Sequence, residues 1–383
     1  MLALGLIPIY NINKLKKNII PLAKPDIQEQ DIAEVAKVLN SGMLVQGHEV
    51  LQLENIISKY IHTDYCSAVS NGTASLQLAL ISLGIGPGDD VIIPAFSYIA
   101  IANVIELVGA KCVFVDIHSK FFNIDEARIE EAITPRTKVI MPVHEFGLCA
   151  NMPVIMKLAK KYNLKVIEDA ACALGATLNS KFAGSFGHLG SFSLHPRKAI
   201  TSGEGGLLVT SNQKLDFNIK TLRNHGIEPD SNPQNFIAAG FNYRMTDFQA
   251  ALVSSQFLRL EKIIENKIRL ASIYFQEIHN PIIRLPEIPM GAKHTWQTFH
   301  ILLENGKQRN KLMEYLRING IMSNYGAQCI PAMTYYNNKY GHKSEIEYPN
   351  AFEAYTCGLA IPLYSQLKED QVQFISKTIN KFV

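Results

Sequence analysis

Three short stretches of this 383-residue chain hold residue types from which cofactor chemistry can be built. Lys198 lies in SFSLHPRKAITSGEGG, between an apolar run and the glycine-rich turn at residues 203–206. Most lysines are solvated surface charges, but one held in such a loop is a candidate nucleophile, because partial burial readily tunes its amine. Asp169 ends KVIEDA, and an open α/β sheet gathers its ligand-binding groups at the carboxyl ends of its strands. Read alone, Asp169 caps the next turn. Read beside Lys198, it is placed to meet a cationic ring nitrogen. A lysine to form a Schiff base and a carboxylate to keep a pyridinium protonated are the pair that pyridoxal 5'-phosphate (PLP) chemistry requires.

The third stretch, SNGTASLQLAL, sets a small polar turn directly before an apolar-periodic helix. The backbone amides around Gly72, Thr73, Ala74 and Ser75 would face an anion, with the helix dipole adding to the attraction. The plainer reading is an N-cap by Ser70, Asn71 or Thr73 with no ligand.

The surrounding pattern says what must position these residues. Runs at 91–94 (VIIP), 111–117 (KCVFVDI), 138–143 (KVIMPV) and 165–170 (KVIEDA) alternate with helical segments at 75–83, 99–108 and 152–162. That alternation predicts an α/β fold with a mostly parallel sheet between helices. GSFSL (190–194) and GGLLVT (205–210) bracket the Lys198 loop, so two strands would present it at their ends. After Gln249 a long helical pattern through residues 260–274 leads into a region of different texture. The expected division is a large α/β domain over residues 21–250 and a smaller C-terminal α+β domain over 251–383, with residues 21–40 packing on both.

Composition narrows the function classes. Hydrophobic residues make up 47% and charged residues 19%, and the net charge of +3 is scattered, which predicts a soluble protein without a nucleic-acid partner. The basic residues 14–17 read as a solvated segment. The apolar start at residues 1–9 makes a poor signal peptide, since its positive charges follow the apolar run. No stretch is long and uncharged enough to span a bilayer. Six cysteines without a CxxC pair predict reduced thiols in a cytoplasmic protein. The histidines include no HExxH, so no metal site is expected; for His144 and His195, pocket-lining and structural readings both stand. LGIGPGDD (83–90) follows a helix and precedes a strand, the reverse of a dinucleotide fingerprint, which argues against a nicotinamide-dependent oxidoreductase.

SNGTASL, IPAFSYIAIANV, PVHEFG, IEDAACALGA, SFSLHPRKAITSGEGG and GFNYRMTDFQAAL together resemble, in order and spacing, the DegT-like sugar nucleotide aminotransferases of PLP fold type I, from about residue 20 to about residue 363. The resemblance implies that Lys198 carries the cofactor and Asp169 partners its ring nitrogen. It further implies that the amides of Thr73 and Ala74, beside Gly72, hold the cofactor phosphate with the Ser193 hydroxyl, and that Tyr98 stacks on the ring. Asn242 would reach the phosphate from the neighbouring subunit, so the active unit would be a homodimer. Two positions depart from the pattern. Cys172 stands where the family commonly has a Gln or His that contacts the ring hydroxyl, and Gly326 falls near a sugar-contacting His of many members. The implied reaction moves an amino group from L-glutamate, through pyridoxamine phosphate, to a 3-keto or 4-keto sugar nucleotide, giving an amino sugar for surface polysaccharide or glycoconjugate. A PLP-dependent sugar dehydratase and a non-catalytic regulatory or binding protein share the scaffold; the presence of Lys198 favours transamination over the dehydratase, and Lys198, Asp169 and Ser193 together favour it over the non-catalytic reading.

Overall fold

A computed structural model describes residues 19–383; the apolar start and the basic residues 14–17 lie outside the described residues. The strands are β1 (Tyr65–Val69), β2 (Asp90–Pro94), β4 (Lys111–Val115), β5 (Thr137–Ile140), β6 (Lys165–Asp169), β9 (Leu189–Ser193) and β10 (Gly206–Thr210), β-branched in β2, β4, β5 and β6 and otherwise built of small and apolar residues. They make a seven-stranded sheet of order β1-β10-β9-β6-β5-β2-β4. The five strands from β9 to β4 are parallel, while β10 runs antiparallel to both β9 and β1. A mostly parallel sheet must be covered on both faces, which is why its strands are nearly continuous apolar runs.

Helices supply that cover. Against one face lie α3 (Gly72–Ser82), α4 (Ala100–Leu107) and α6 (Gln213–Arg223), through residues such as Leu76, Leu80, Ile101, Val104 and Ile219. Against the other lie α2 (His48–Ile61), α5 (Met152–Lys161) and α7 (Asp247–Phe257), through Leu53, Ile57, Ile155 and Val253. α1 (Glu29–Ser41) packs on α7, where the Ser255 hydroxyl donates to Asp31 at 2.6 Å, and Arg259, just after α7, pairs with the same carboxylate at 2.8 Å.

A third core gathers around an antiparallel sheet of β11 (Ile283–Arg284), β13 (Phe299–Leu303) and β15 (Gly358–Ile361). Its helices are α9 (Gly306–Ile318), α13 (Glu369–Asn380) and the second half of α8 (Leu260–Glu277). Ile20 joins this core and bridges to Ile321. Short pieces link the parts: β3 (Phe96–Ser97) pairs with β14 (Gln328–Cys329), and β7 (Thr177–Leu178), β8 (Lys181–Phe182) and β12 (Ala292–Lys293) form a small ribbon. α10 (Thr334–Tyr340), α11 (Ser344–Glu347) and α12 (Pro349–Cys357) fill the remaining stretch before β15. Among the described residues, no helix is long and apolar enough to cross a membrane.

Some boundaries differ from expectation for local reasons. The strand predicted over 138–143 stops at Ile140, because Pro142 has no N–H for a ladder, although Val143 rejoins β6 through a bridge to Asp169. α3 begins at Gly72 and not Ser75, since Asn71 caps it. The long helical pattern after Gln249 breaks at Leu258 and Arg259 into α7 and α8.

Candidate active site

The site lies at the carboxyl ends of β9 and β6. Asp169 closes β6 and is 7% exposed. Burial pushes its carboxyl up, while the Ala171 N–H, which donates to Oδ1 at 3.1 Å, and the Lys198 charge pull it down. Among the described residues, none donates a hydrogen bond to Oδ2. Behind Asp169, the buried Glu168 carboxylate accepts from the amides of Gly184, Phe186 and Gly187 at 2.8, 2.7 and 2.6 Å. Because side chains alternate along a strand, anchoring Glu168 on one face turns Asp169 to the other.

His144 takes part in this anchor, which settles its two open readings in favour of the structural one. It is fully buried, accepts the Ala150 N–H at Nδ1 (3.1 Å) and so donates from Nε2 to Glu168 (2.8 Å). His188 is likewise structural, accepting the Val166 N–H at 3.0 Å. His195 is half-buried in the Lys198 turn, accepts the Arg197 N–H at Nδ1 (3.2 Å), and is pushed down in pKa chiefly by burial.

The Lys198 loop connects the ends of β9 and β10. The Lys198 N–H bonds the His195 carbonyl at 2.8 Å, and Gln256 of α7 clamps Thr201 from both sides, at 3.1 and 2.7 Å. The half-buried Lys198 amine then points back across the site and donates to Cys172 Sγ at 3.0 Å.

Beside it, α3 starts against the end of β9. A Cβ on Gly72 would stand 2.9 Å from Ser193 Cβ, and one on Gly206 would meet the Asn71 carbonyl at 2.4 Å, so glycine at both places lets helix start and strand end touch. The Gly72 and Thr73 amides carry no hydrogen bond among the described residues, and the Ser193 hydroxyl lies next to them. The resemblance assigned the Ala74 amide to an anion as well. Here it donates instead to Asn71 Oδ1 at 2.8 Å, because Asn71 is extended and folds its side chain back as the N-cap.

Lys198, Asp169, Cys172, Gly72, Thr73 and Ser193 are thus brought together. This donor set fits PLP: an amine for the aldehyde, a carboxylate for the ring nitrogen, and unpaired helix N-terminal amides with a hydroxyl for the phosphate. Two expected members are not gathered into the cluster within one chain. Tyr98 follows β3 and is 67% exposed, and Asn242 is exposed with its side chain bonded to none of the site residues.

Sequence reading missed two buried ionisable groups nearby. Glu145, in PVHEFG, is pushed up to about 8 by burial and by the negative charge of Asp169. Its signal was a lone acid in an apolar run. Lys267 of α8 is 4% exposed and pushed down to about 8, chiefly by burial. It occupies the apolar stripe of Ile263, Ile264, Leu270 and Ala271, which is a legible anomaly. Gly326 has φ of +85°, and a Cβ there would stand 2.6 Å from Nδ1 of His300, a buried ring stacked on Phe146 at 4.7 Å. Here the space next to residue 326 is filled by His300 from β13.

Residues 25–380 match the DegT/DnrJ/EryC1/StrS aminotransferase family. A UDP-N-acetyl-3-dehydro-α-D-glucosamine 3-aminotransferase of Acidithiobacillus ferrooxidans is 34% identical over 93% of this chain and 94% of that protein. A GDP-perosamine synthase of Caulobacter vibrioides is 38% identical over 72% of this chain and 76% of its own. The fold superimposes on a putative sugar aminotransferase of Streptococcus pneumoniae in its pyridoxamine-phosphate form, with a TM-score of 0.90, 29% identity, and coverage of 95% of this chain and 98% of that one. The chain therefore belongs to the DegT/DnrJ/EryC1/StrS aminotransferase family and is a PLP-dependent aminotransferase of fold type I.

Proposed function

We propose that this aminotransferase moves an amino group from L-glutamate to a 3-keto or 4-keto deoxy sugar carried on a nucleotide, and so makes an amino sugar for surface polysaccharide or glycoconjugate. The observation that carries the reading is the convergence of the Lys198 amine, the Asp169 carboxylate and the free amides of α3 at the carboxyl ends of β9 and β6. The relatives named for a UDP-linked 3-dehydro sugar and for GDP-perosamine support the substrate class.

Bound PLP supplies the electron sink that makes a proton on the amine-bearing carbon acidic. Lys198 Nζ, which tethers the cofactor at rest, is the base that takes that proton from the α-carbon of glutamate. In the second half-reaction it returns a proton to the sugar carbon that receives the amine. Asp169 opposes the charge of the ring nitrogen, and its own burial is offset by that cation. The Thr73 amide, the Gly72 amide and the Ser193 hydroxyl hold the phosphate, joined across a homodimer by Asn242, while Tyr98 covers the ring. Contacts to the nucleotide, remote from the reacting carbon, position the sugar.

We assign residues 21–250 to the large domain and 251–383 to the small one, with α8 shared between their cores. We place the reaction in the cytoplasm, in keeping with six cysteines that all stand as free thiols.

The test is the visible spectrum of the protein loaded with PLP, before and after L-glutamate, for wild type and Lys198→Ala. A band that glutamate shifts, and that the variant lacks, supports the assignment; mass spectrometry of products from 3-keto and 4-keto sugar nucleotides then identifies the acceptor. Absence of a band in the wild type, or no aminated sugar from either class, would overturn the corresponding part.

A further inference from the structure

Glu145 has no role in the assignment above, and its setting is unlike that of a structural carboxylate. It is 5% exposed; the Ser97 hydroxyl and the Phe146 N–H lie close enough to its carboxyl to pull against its raised pKa, yet among the described residues its buried Oε2 has no hydrogen-bond partner. Leaving a polar atom this way is costly, and such groups concentrate where a ligand is to be met. The turn that carries it is strained: Phe146, the next residue, has φ of 56°, a left-handed conformation that bulky side chains rarely adopt.

That turn is also clamped. Asn123 accepts the Glu145 N–H at 2.8 Å and donates to the Leu148 carbonyl at 3.1 Å. The Thr295 N–H bonds the Gly147 carbonyl at 3.0 Å, and a Cβ on Gly147 would stand 3.1 Å from the carbonyl of Cys172. The Glu145 carboxyl is held facing Ser97, Asp169 and Lys198.

Strand order says what it faces. The sequence of strands across the sheet is β9, β6, β5, β2, and after their carboxyl ends come, in turn, Ser193, Asp169, Glu145 and Ser97. PLP carries its phosphate arm and its ring oxygen on opposite sides of the line from the ring nitrogen to the aldehyde carbon. With the phosphate at Ser193 and α3, and the nitrogen at Asp169, the ring oxygen falls on the β5 side. Glu145 stands there, and Cys172, in the place of a Gln or His, offers only a weakly bonding thiol.

We propose that Glu145 donates a hydrogen bond from its carboxyl to the ring oxygen of the cofactor, taking the part that Cys172 leaves open. The proposal rests on Lys198 and Asp169 holding the cofactor as assigned above. The rise in its pKa to about 8 agrees with a carboxyl that keeps its proton at neutral pH. The ring oxygen adjoins the nitrogen that Lys198 contributes. While that nitrogen is protonated, the oxygen shares its proton; once the proton leaves, the oxygen is an anion, and a protein donor is worth most. Glu145 therefore lowers the pH at which the proton leaves.

The experiment is a pH titration of the visible absorbance of the loaded enzyme for wild type, Glu145→Leu and Glu145→Gln. Leucine removes the donor and should raise the midpoint by about one pH unit, a tenfold change. Glutamine keeps an N–H donor and should stay near wild type. An unchanged midpoint in both variants, or a lowered one in both as expected of an ionised Glu145, overturns the proposal while leaving Lys198 in place. A wild type with no visible band overturns the assignment of Lys198 and the proposal with it. Should Glu145→Leu fail to fold, infrared difference spectra decide: an acid carbonyl band absent in Glu145→Gln must move when PLP binds and stay put with inorganic phosphate. A band that PLP does not move overturns the proposal.

Discussion

The Lys198 amine stands 3.0 Å from Cys172 Sγ, so the amine that would tether the cofactor and the thiol that departs from the family pattern share one hydrogen bond. Cys172 is partly exposed, whereas the other five cysteines are buried. Burial pushes its thiol up and the Lys198 charge pulls it down, with the net effect upward. Alkylation of the native protein should therefore modify Cys172 first, and do so slowly at neutral pH. Loading with PLP, which engages the amine and covers the thiol, should slow modification by roughly tenfold or more. Peptide mapping by mass spectrometry measures both; equal rates with and without the cofactor would remove Cys172 from the site.

Asp169→Asn keeps shape and removes charge. The lost charge-assisted contact to the ring nitrogen is worth about 3 kcal/mol, so kcat should fall roughly 100-fold, with KM for the sugar little changed. Steady-state kinetics provide the check. A loss confined to KM would place Asp169 on the substrate and not on the cofactor.

Glu54 and Arg223 form a buried ion pair, and both also bond the backbone of Ala68, at 2.8 Å each. Arg223→Leu strands a carboxylate in the core and should destabilise the cofactor-free protein by about 3–5 kcal/mol. The double replacement with leucine should recover much of that loss, because no unpaired charge remains. Denaturation midpoints of the two singles and the double give the coupling; additive losses would show that the pair does not act as a unit.

Lys267 makes stability depend on pH with a definite sign. Its amine is pushed down to about 8 from an ordinary 10.5, and no carboxylate partners it among the described residues. Below pH 8 the ammonium is present folded and unfolded, and the folded state bears the cost of burying it. Between about pH 8 and 10.5 only the unfolded chain holds the proton, so rising pH removes that cost. Lys267→Met should be more stable than wild type by roughly 3 kcal/mol at pH 7, and the gap should close by about pH 10.5. Melting temperatures across that range test it; a constant gap would mean that packing, not charge, sets the difference.

If Asn242 serves the partner's cofactor, each site takes Lys198 from one chain and Asn242 from the other. A heterodimer of Lys198→Ala with Asn242→Ala then contains one intact site. Mixing the two inactive or weakened homodimers under exchange should restore activity toward about a quarter of wild type. No recovery, with exchange verified, would confine each site to a single chain.

The linear pattern carried much of this. Alternating apolar runs and helical segments announced a mostly parallel sheet, since hydrophobic period follows directly from side-chain geometry. Lys198, Asp169 and the Asn71-Gly72-Thr73 turn were legible because each sits at a junction between elements, where strands end and helices begin, and such junctions are marked by glycine and small polar residues. Cys172 was legible as a departure because it lies three residues from Asp169 in the same turn.

What the chain alone did not disclose depended on distance in space. His144 bonds Glu168 across 24 residues, and that partner, not its own neighbours, makes it a structural anchor. Ala74 looked available to an anion until Asn71 adopted the backbone angle that brings its side chain back. Glu145, Asp169 and Ser193 come from three separate stretches, and they stand side by side only because β5, β6 and β9 pair as neighbours, which no one strand's own sequence discloses. Periodicity reports which face of its own element a residue occupies. It holds no information on which other element lies opposite, and for a buried acid or amine that neighbour decides its charge and its use.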